Sequence, residues 1–197
     1  MRLLARLTLA VLVPALVACH RGPSTTDLSP PPSRATLRSM PGWYLKPPRD
    51  AQYVFGAATA VSQDLQIAID KAQAEGRNLL AQQLEVKYSS LTKRFAEETG
   101  RAMDSQLLDQ YTSVYKATVS QVLFGSRPRQ QEVKAEGRAY RAYVLMELPT
   151  GEAAKRLMEQ VKANEQMYTR FRSTEAFKEL DAEVQRYEAW KRDQKLP

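Results

Sequence analysis

One stripe of apolar residues restricts the folds open to this chain more than any other feature. It recurs at three- and four-residue intervals through Leu65, Ala68, Ile69, Ala72, Gly76, Leu79, Leu80 and Leu84. This spacing predicts a helix over about 62–84, with Ser62 as the N-cap and Asp64 in the first turn. Small residues in the middle of the stripe let a helix lie close to its neighbour, so we expect the helix to pack on a sheet.

The strands of such a sheet are predicted on both sides of the stripe. Aromatic and branched residues at the start of 53–60 indicate a strand, in which Gly56 marks a bulge or the close approach of another element. Residues 127–134 and 139–148 predict a hairpin around Gly137. Because the second arm of the hairpin is almost entirely apolar, we expect it to be a central strand.

Two stretches between these elements allow more than one secondary structure. Residues 86–95 are ambiguous, although their branched and aromatic side chains favour a strand. Residues 104–124 place apolar side chains at helical spacing and predict a second helix that ends at Gly125. An extended structure competes with that helix because Tyr, Thr and Val, which are common there, favour strands.

The last part of the chain is predicted to be helical. Thr150 is expected to cap a helix that follows Pro149 and runs towards Lys162, and Ser173 is expected to cap another. The last helix carries a narrow apolar seam of Phe177, Leu180, Val184, Tyr187 and Trp190. We expect this seam to dock on the protein's own domain. The predicted fold class is α+β, with a small antiparallel sheet of three to four strands, a long helix on one face and C-terminal helices.

The N-terminus has the three parts of a lipoprotein signal peptide. A positive segment precedes an apolar run that has the length of a signal sequence and is too short to span a bilayer. The run ends in the lipobox Leu16, Val17 and Ala18, directly before Cys19, the only cysteine of the chain. We predict that residues 1–18 are removed and that Cys19 carries diacylglycerol and palmitate. The alternative is an ordinary signal peptide cut near Ala18, with Cys19 incidental.

The residues after Cys19 predict where the domain lies. His20, rather than Asp, follows the anchor, which favours transport to the outer membrane. Residues 19–40 are rich in Pro and Ser and predict a tether of extended, solvated backbone. We therefore expect an α+β domain at 41–149 and a helical extension at 150–197, both facing the periplasm.

The residue inventory argues against an enzyme. His20 is the only histidine and lies in the tether, so a Ser-His-Asp or Cys-His arrangement within the domain is excluded, as is a zinc site of Cys and His. Turns and solvated faces account for the acids Glu97, Glu98, Asp104, Glu132 and Glu136. We expect no catalytic residue, metal, cofactor, nucleic acid or small-molecule substrate.

Four arginines, Arg127, Arg129, Arg138 and Arg141, cluster around the predicted hairpin. A polyanion would bind such a cluster, but a solvated strand face explains it more simply. The formal net charge of +7 for the full chain is likewise explained by solubility.

A series of features follows one another in a recognisable order. It comprises Trp43, the strand 53–57, the helix residues Ala72, Gly76, Arg77, Leu80, Ala81 and Leu84, then Leu123, Gly125 and Arg127, and a hairpin with Gly137 and the apolar stretch 143–146. Over 41–148 this order resembles the bacterial twenty-kilodalton lipoprotein family, whose members include a flagellar-assembly outer-membrane lipoprotein. The chain departs from the family at Gly76, where Ala is usual, and in its extension after 150.

The resemblance implies a small α+β domain tethered to the outer membrane, with a structural or assembly role and no catalytic residues. Together with the lipobox, it predicts an envelope lipoprotein that binds protein partners or assembles with itself, with a flagellar structure among the candidate assemblies. The alternative is a periplasmic adaptor that reaches through the periplasm on its tether and activates a cell-wall synthesis enzyme.

Overall fold

The structure is a computed structural model that describes residues 33–99 and 105–194. Its elements are α1 (Ser33–Ser39), α2 (Gly42–Leu45), β1 (Tyr53–Ser62), α3 (Leu65–Thr99), α4 (Ser105–Leu123), β2 (Arg127–Glu136), β3 (Ala139–Pro149), α5 (Thr150–Ala163), α6 (Glu165–Phe171) and α7 (Glu175–Asp193). The predicted signal peptide, the predicted lipobox, Cys19 and most of the predicted tether lie outside the described residues. None of the described helices has the length and apolarity needed to cross a membrane.

The three strands form an antiparallel sheet in the order β1-β3-β2, so the predicted α+β class is confirmed. The predicted hairpin joins β2 and β3 through a two-residue turn, in which Gly137 takes a positive φ of 58°. The prediction of a central apolar strand is also confirmed, since residues 142–146 of β3 are fully buried. In β2 the register shifts between Pro128 and Gln130.

Two glycines allow α3 to approach the sheet closely. A Cβ atom on Gly56 of β1 would collide with the main-chain carbonyl oxygen of Gly76 in α3. A Cβ atom on Gly76 would lie 2.5 Å from Cγ of Met146 in β3. Gly56 therefore marks a close approach of another element, which is one of the two alternatives that its position in the sequence allowed.

The helix α3 is longer than the sequence predicted. It begins at Leu65 and not at 62, because Asp64 provides the cap by accepting a hydrogen bond of 2.9 Å from the Ile67 amide. It then continues through Thr99, so the strand favoured at 86–95 is wrong. The branched and aromatic residues there continue the buried stripe, as Tyr88, Leu91 and Phe95 are at most 2% exposed. Burial in tertiary contacts has overridden their strand propensity.

The second half of α3 leaves the sheet and enters a helical core. Its 35 residues span about 50 Å, whereas a ten-residue strand spans about 30 Å. Beyond the sheet, Phe95 packs edge-to-face on Phe171 of α6, at 4.4 Å between ring centroids, and lies 6.2 Å from Tyr111 of α4. The helix predicted at 104–124 is thus confirmed as α4, and the extended alternative is wrong. The short helix α6 was not predicted.

The remaining corrections concern helix ends and the tether. Thr150 is the first residue of α5, whose N-cap is Pro149, and Thr174 rather than Ser173 caps α7 by accepting a hydrogen bond from the Phe177 amide. Residues 33–39 form α1, so the prediction of extended backbone is wrong for this part of the predicted tether. Its sequence SRATLRS follows the prolines and contains good helix formers.

The apolar seam of α7 docks on the protein's own helices, as predicted. Leu180 is fully buried and Tyr187 almost so. The ring of Tyr187 lies so close to Gly151 of α5 that a Cβ atom there would collide with it. The helical extension therefore belongs to the same packed core as the end of α3.

We expect Gly56→Ala to lower the free energy of unfolding by about 1–3 kcal/mol, because the added methyl group forces α3 away from β1. Gly42→Ala is the matched control, since a Cβ atom at Gly42 meets nothing within 4 Å. Urea unfolding of both variants measures the difference. Equal stability of the two variants would contradict the close packing of α3 on the sheet.

Candidate binding groove along strand β1

Among the residues that the structure describes, no strand pairs with the outer edge of β1. In a two-residue hairpin the residues that flank the turn, Glu136 and Ala139, form a hydrogen-bonded pair, so odd-numbered residues of β3 bond to β2 and even-numbered ones to β1. With Gly56 opposite Met146, the even-numbered residues of β1 bond to β3. The odd-numbered residues of 53–61 consequently direct their N–H and C=O groups away from the sheet.

One side chain of α3 reaches this edge. Nε2 of Gln83 donates a hydrogen bond of 2.9 Å to the carbonyl oxygen of Phe55 and another of 3.2 Å to the carbonyl oxygen of Leu79. Gln83 is itself exposed, so this contact is reversible without disturbing the core. It occupies an acceptor that a further strand would need.

A groove runs between this edge and the segment that precedes β1. Its volume is about 680 Å³, and its lining consists of Leu45, Lys46, Pro47, Pro48, Arg49, Asp50, Tyr53, Val54, Phe55 and Gln83. A second depression of about 520 Å³ continues it along α3 and is lined by Val54, Leu79, Gln82, Gln83 and Val86. Leu45 is 55% exposed and Val86 is 67% exposed, although both are aliphatic. Such exposed apolar area beside an open strand is typical of an interaction surface.

The aromatic residues at one end of the groove, Tyr53 and Phe55, pack against each other and against side chains of α7 and β2. The rings of Tyr53 and Phe55 stack at 6.2 Å between centroids, and Tyr53 packs edge-to-face on Trp190 of α7 at 5.7 Å. Arg129 of β2 lies over the Phe55 ring at 5.4 Å. These contacts fix the two aromatic side chains, so a ligand meets a formed surface.

Arg129 is positioned by a buried acid that the sequence analysis did not single out. Glu147 of β3 is 4% exposed and accepts hydrogen bonds of 2.8 Å from Nε of Arg127 and 3.1 Å from Nη1 of Arg129. The bond to Glu147 raises the pKa of the Arg127 guanidinium. A regular register counted from the Gly137 turn places Arg127 opposite Leu148, and the register shift between Pro128 and Gln130 brings it opposite Glu147 instead, so the sequence carried no direct signal for this site.

The arginine cluster is therefore mostly an ion-pair network. Nε of Arg141 donates a hydrogen bond of 2.6 Å to Glu136, and the Arg141 side chain is only 13% exposed, so the prediction of a solvated face is wrong for this residue. The prediction holds for Arg127, whose side chain is 70% exposed, and Arg138 is exposed in the turn. Because Glu147 and Glu136 neutralise two of the four positive charges, the cluster is a weaker match for a polyanion than the sequence alone suggests.

The other acids named from the sequence do not meet at a common site. Glu132 pairs with Lys134, and Glu136 pairs with Arg141. Glu98 accepts a hydrogen bond of 2.6 Å from the Glu175 amide, and Glu97 is exposed. Within 33–99 and 105–194, no group of three or more His, Cys, Asp or Glu residues is arranged to hold a metal ion. Asp104, His20, Cys19 and the lipobox lie outside these ranges.

No protein-family model matches this chain, and no curated protein matches it either. The resemblance to the twenty-kilodalton lipoprotein family therefore stays a prediction from the residues that carry it.

We expect Glu147→Gln to lower the free energy of unfolding by about 1–3 kcal/mol, because it removes the charge from two hydrogen bonds with arginine. Glu132→Gln, on the same sheet but in an exposed pair with Lys134, should change it by less than about 0.5 kcal/mol. Thermal and urea unfolding compare the two. A larger loss from Glu132→Gln would refute the structural role of Glu147.

Proposed function

We propose that this chain is an outer-membrane lipoprotein with a structural or assembly role in the cell envelope, and that it binds protein partners along β1. The observation that carries the proposal is the contrast between the two edges of the sheet. Edge strands of soluble proteins are usually protected by charges, proline or bulges. The edge strand β2 has all three, whereas β1 has ten residues without a charge, a proline or a shift of register.

The form of the groove supports a protein ligand. An extended segment that adds to an open strand gains main-chain hydrogen bonds, and flanking pockets select its side chains. The groove offers outward-facing backbone from the odd-numbered residues of β1, aliphatic side chains from α3, and the stacked rings of Tyr53 and Phe55. Its lining carries Lys46 and Arg49 with Asp50, so it is only weakly charged.

The proposed place of action rests on the N-terminal sequence. The lipobox and the lone Cys19 support attachment by lipid, and His20 supports the outer membrane. The resemblance described above supports an assembly role, flagellar assembly included. In the alternative adaptor function, the same groove binds a cell-wall synthase. Recovery of that enzyme as the crosslinked partner would favour the adaptor function over the assembly role.

The anchor is tested by Cys19→Ser in the full chain. We expect this variant to lose labelling by a fatty-acid analogue and to leave the membrane fraction, because the serine hydroxyl does not replace the thiol that accepts the lipid. The unchanged chain, expressed in the same cells, is the control. Retained labelling and fractionation would select the ordinary signal peptide instead.

The binding edge is tested by Ala57→Lys, which places a charge in the middle of β1. We expect crosslinking to partner proteins in intact cells to fall several-fold, since a charge on an edge strand opposes further pairing. Gln130→Lys, on β2 at the opposite edge, should leave the crosslinks unchanged. Identical crosslinks in Ala57→Lys and the unchanged chain would remove β1 as the binding edge.

A further inference from the structure

We infer that the ligand of the groove is a second copy of this chain, whose β1 pairs antiparallel with the first β1 across a two-fold axis at Ala57. The two sheets then join into one of six strands, in the order β2-β3-β1-β1-β3-β2. This inference rests on the proposed function and names the partner for it. Four observations carry it, and each concerns residues in or beside β1.

The first observation is the direction of the backbone groups. An axis at Ala57 pairs odd-numbered residues with odd-numbered residues, such as Phe55 with Thr59 of the second copy. These are the residues whose N–H and C=O groups point outward in both copies. Antiparallel strands exchange both hydrogen bonds between such residues. In this register, each outward N–H group of β1 therefore lies opposite an outward C=O group of the second copy.

The second observation is the match of the side chains in this register. On the face away from α3, Phe55 lies opposite Thr59 of the second copy, and Tyr53 lies opposite Val61 of the second copy. Aromatic residues opposite β-branched residues are favourable cross-strand pairs. Only the small Ala57 meets itself, at the axis, where two bulky side chains would compete for space.

The third observation is charge. The ten residues of β1 include no Asp, Glu, Lys or Arg, so self-pairing places no like charges opposite one another. The stretch YVFGAATAVS is therefore electrostatically compatible with itself.

The fourth observation is the position of α3. It packs against both β1 and β3, and Cβ of Leu79 lies 3.3 Å from the position of a Cβ atom on Gly56. Strands lie about 4.8 Å apart, so a helix over the β1–β3 pair lies about 10 Å from its copy across the new axis. That separation is the normal distance between packed helices. The flank of α3 formed by the half-buried Leu79 and the exposed Gln82 and Val86 then faces the second α3.

Gln83 controls access to this arrangement. In the proposed register the carbonyl oxygen of Phe55 accepts a hydrogen bond from the Thr59 amide of the second copy. That oxygen now accepts a hydrogen bond from Gln83. The side chain must swing away before the strands pair, so Gln83 is a positioning residue that weakens self-association. We expect Gln83→Ala to tighten the dimer several-fold.

Cysteine pairing tests the register directly in the full chain in its membrane. Hydrogen-bonded residues opposite one another in antiparallel strands have Cα atoms about 5.5 Å apart, which suits a disulfide. Ala57→Cys should therefore form a reducible dimer under a mild oxidant. In Val61→Cys the two thiols are eight residues apart along the strands, or about 27 Å, and should not join. Equal crosslinking of both variants, or none in Ala57→Cys, would overturn the inference.

Charge exchange provides a second test that does not depend on oxidation. Ala57→Lys and Ala57→Glu should each reduce the dimer fraction several-fold in sedimentation of the detergent-solubilised chain, and mixing the two variants should restore it. Circular dichroism and melting temperature verify that both variants are folded. Gln73→Ala, on the side of α3 that faces β2, where Gln73 donates a hydrogen bond to Gln131, is the control for Gln83→Ala and should leave the dissociation constant of the dimer unchanged.

The outcomes separate this inference from the proposed function. A monomeric chain whose crosslinks to another protein are lost in Ala57→Lys would overturn self-pairing and leave the proposed function standing. A monomeric chain whose crosslinks do not respond to Ala57→Lys would overturn both. A dimer that re-forms when the Ala57→Lys and Ala57→Glu variants are mixed supports both the self-pairing and the proposed function.

Discussion

The close approach of Gly56 and Gly76 is the contact on which the rest of the structure depends. It brings the backbone of α3 against β1 at a separation that no side chain permits. With α3 so placed, Gln83 reaches the edge of β1, and the apolar side chains of Leu79 and Val86 line the depression beside it. The same placement directs α3 past the end of the sheet, where its remaining turns meet α4, α6 and α7.

Periodicity in the sequence was sufficient to predict the sheet, its central strand, the close-packing glycine and most helices. It failed at 86–95, because branched and aromatic residues that favour a strand also fill the core around a helix. The caps at Thr150 and Ser173 were each misplaced by one residue. Ser173 and Thr174 both carry hydroxyl groups and only the geometry selects between them, whereas Pro149 precedes α5 without any side-chain cap. The helix α1 was missed because the prolines before it led to a prediction of extended backbone for the whole of 19–40.

The candidate site was harder to predict than the fold. Its groove joins the segment 45–50, β1 and α3, which are brought together only by folding. The absence of charge from β1 is visible in the sequence, but its meaning depends on β1 being an edge strand, and the strand favoured at 86–95 left open whether a fourth strand covered that edge. Glu147 lay within an apolar run, where its pairing with Arg127 and Arg129 depended on the register of β2.

The length of α3 has a mechanical consequence. One continuous helix supplies the layer that covers the sheet and a wall of the helical core, so neither half opens without exposing part of the other. A load applied at β1 would therefore pass along α3 into the C-terminal helices that pack on it. The extension after 150 thus supports the sheet through α3, although it lies beyond the end of the sheet.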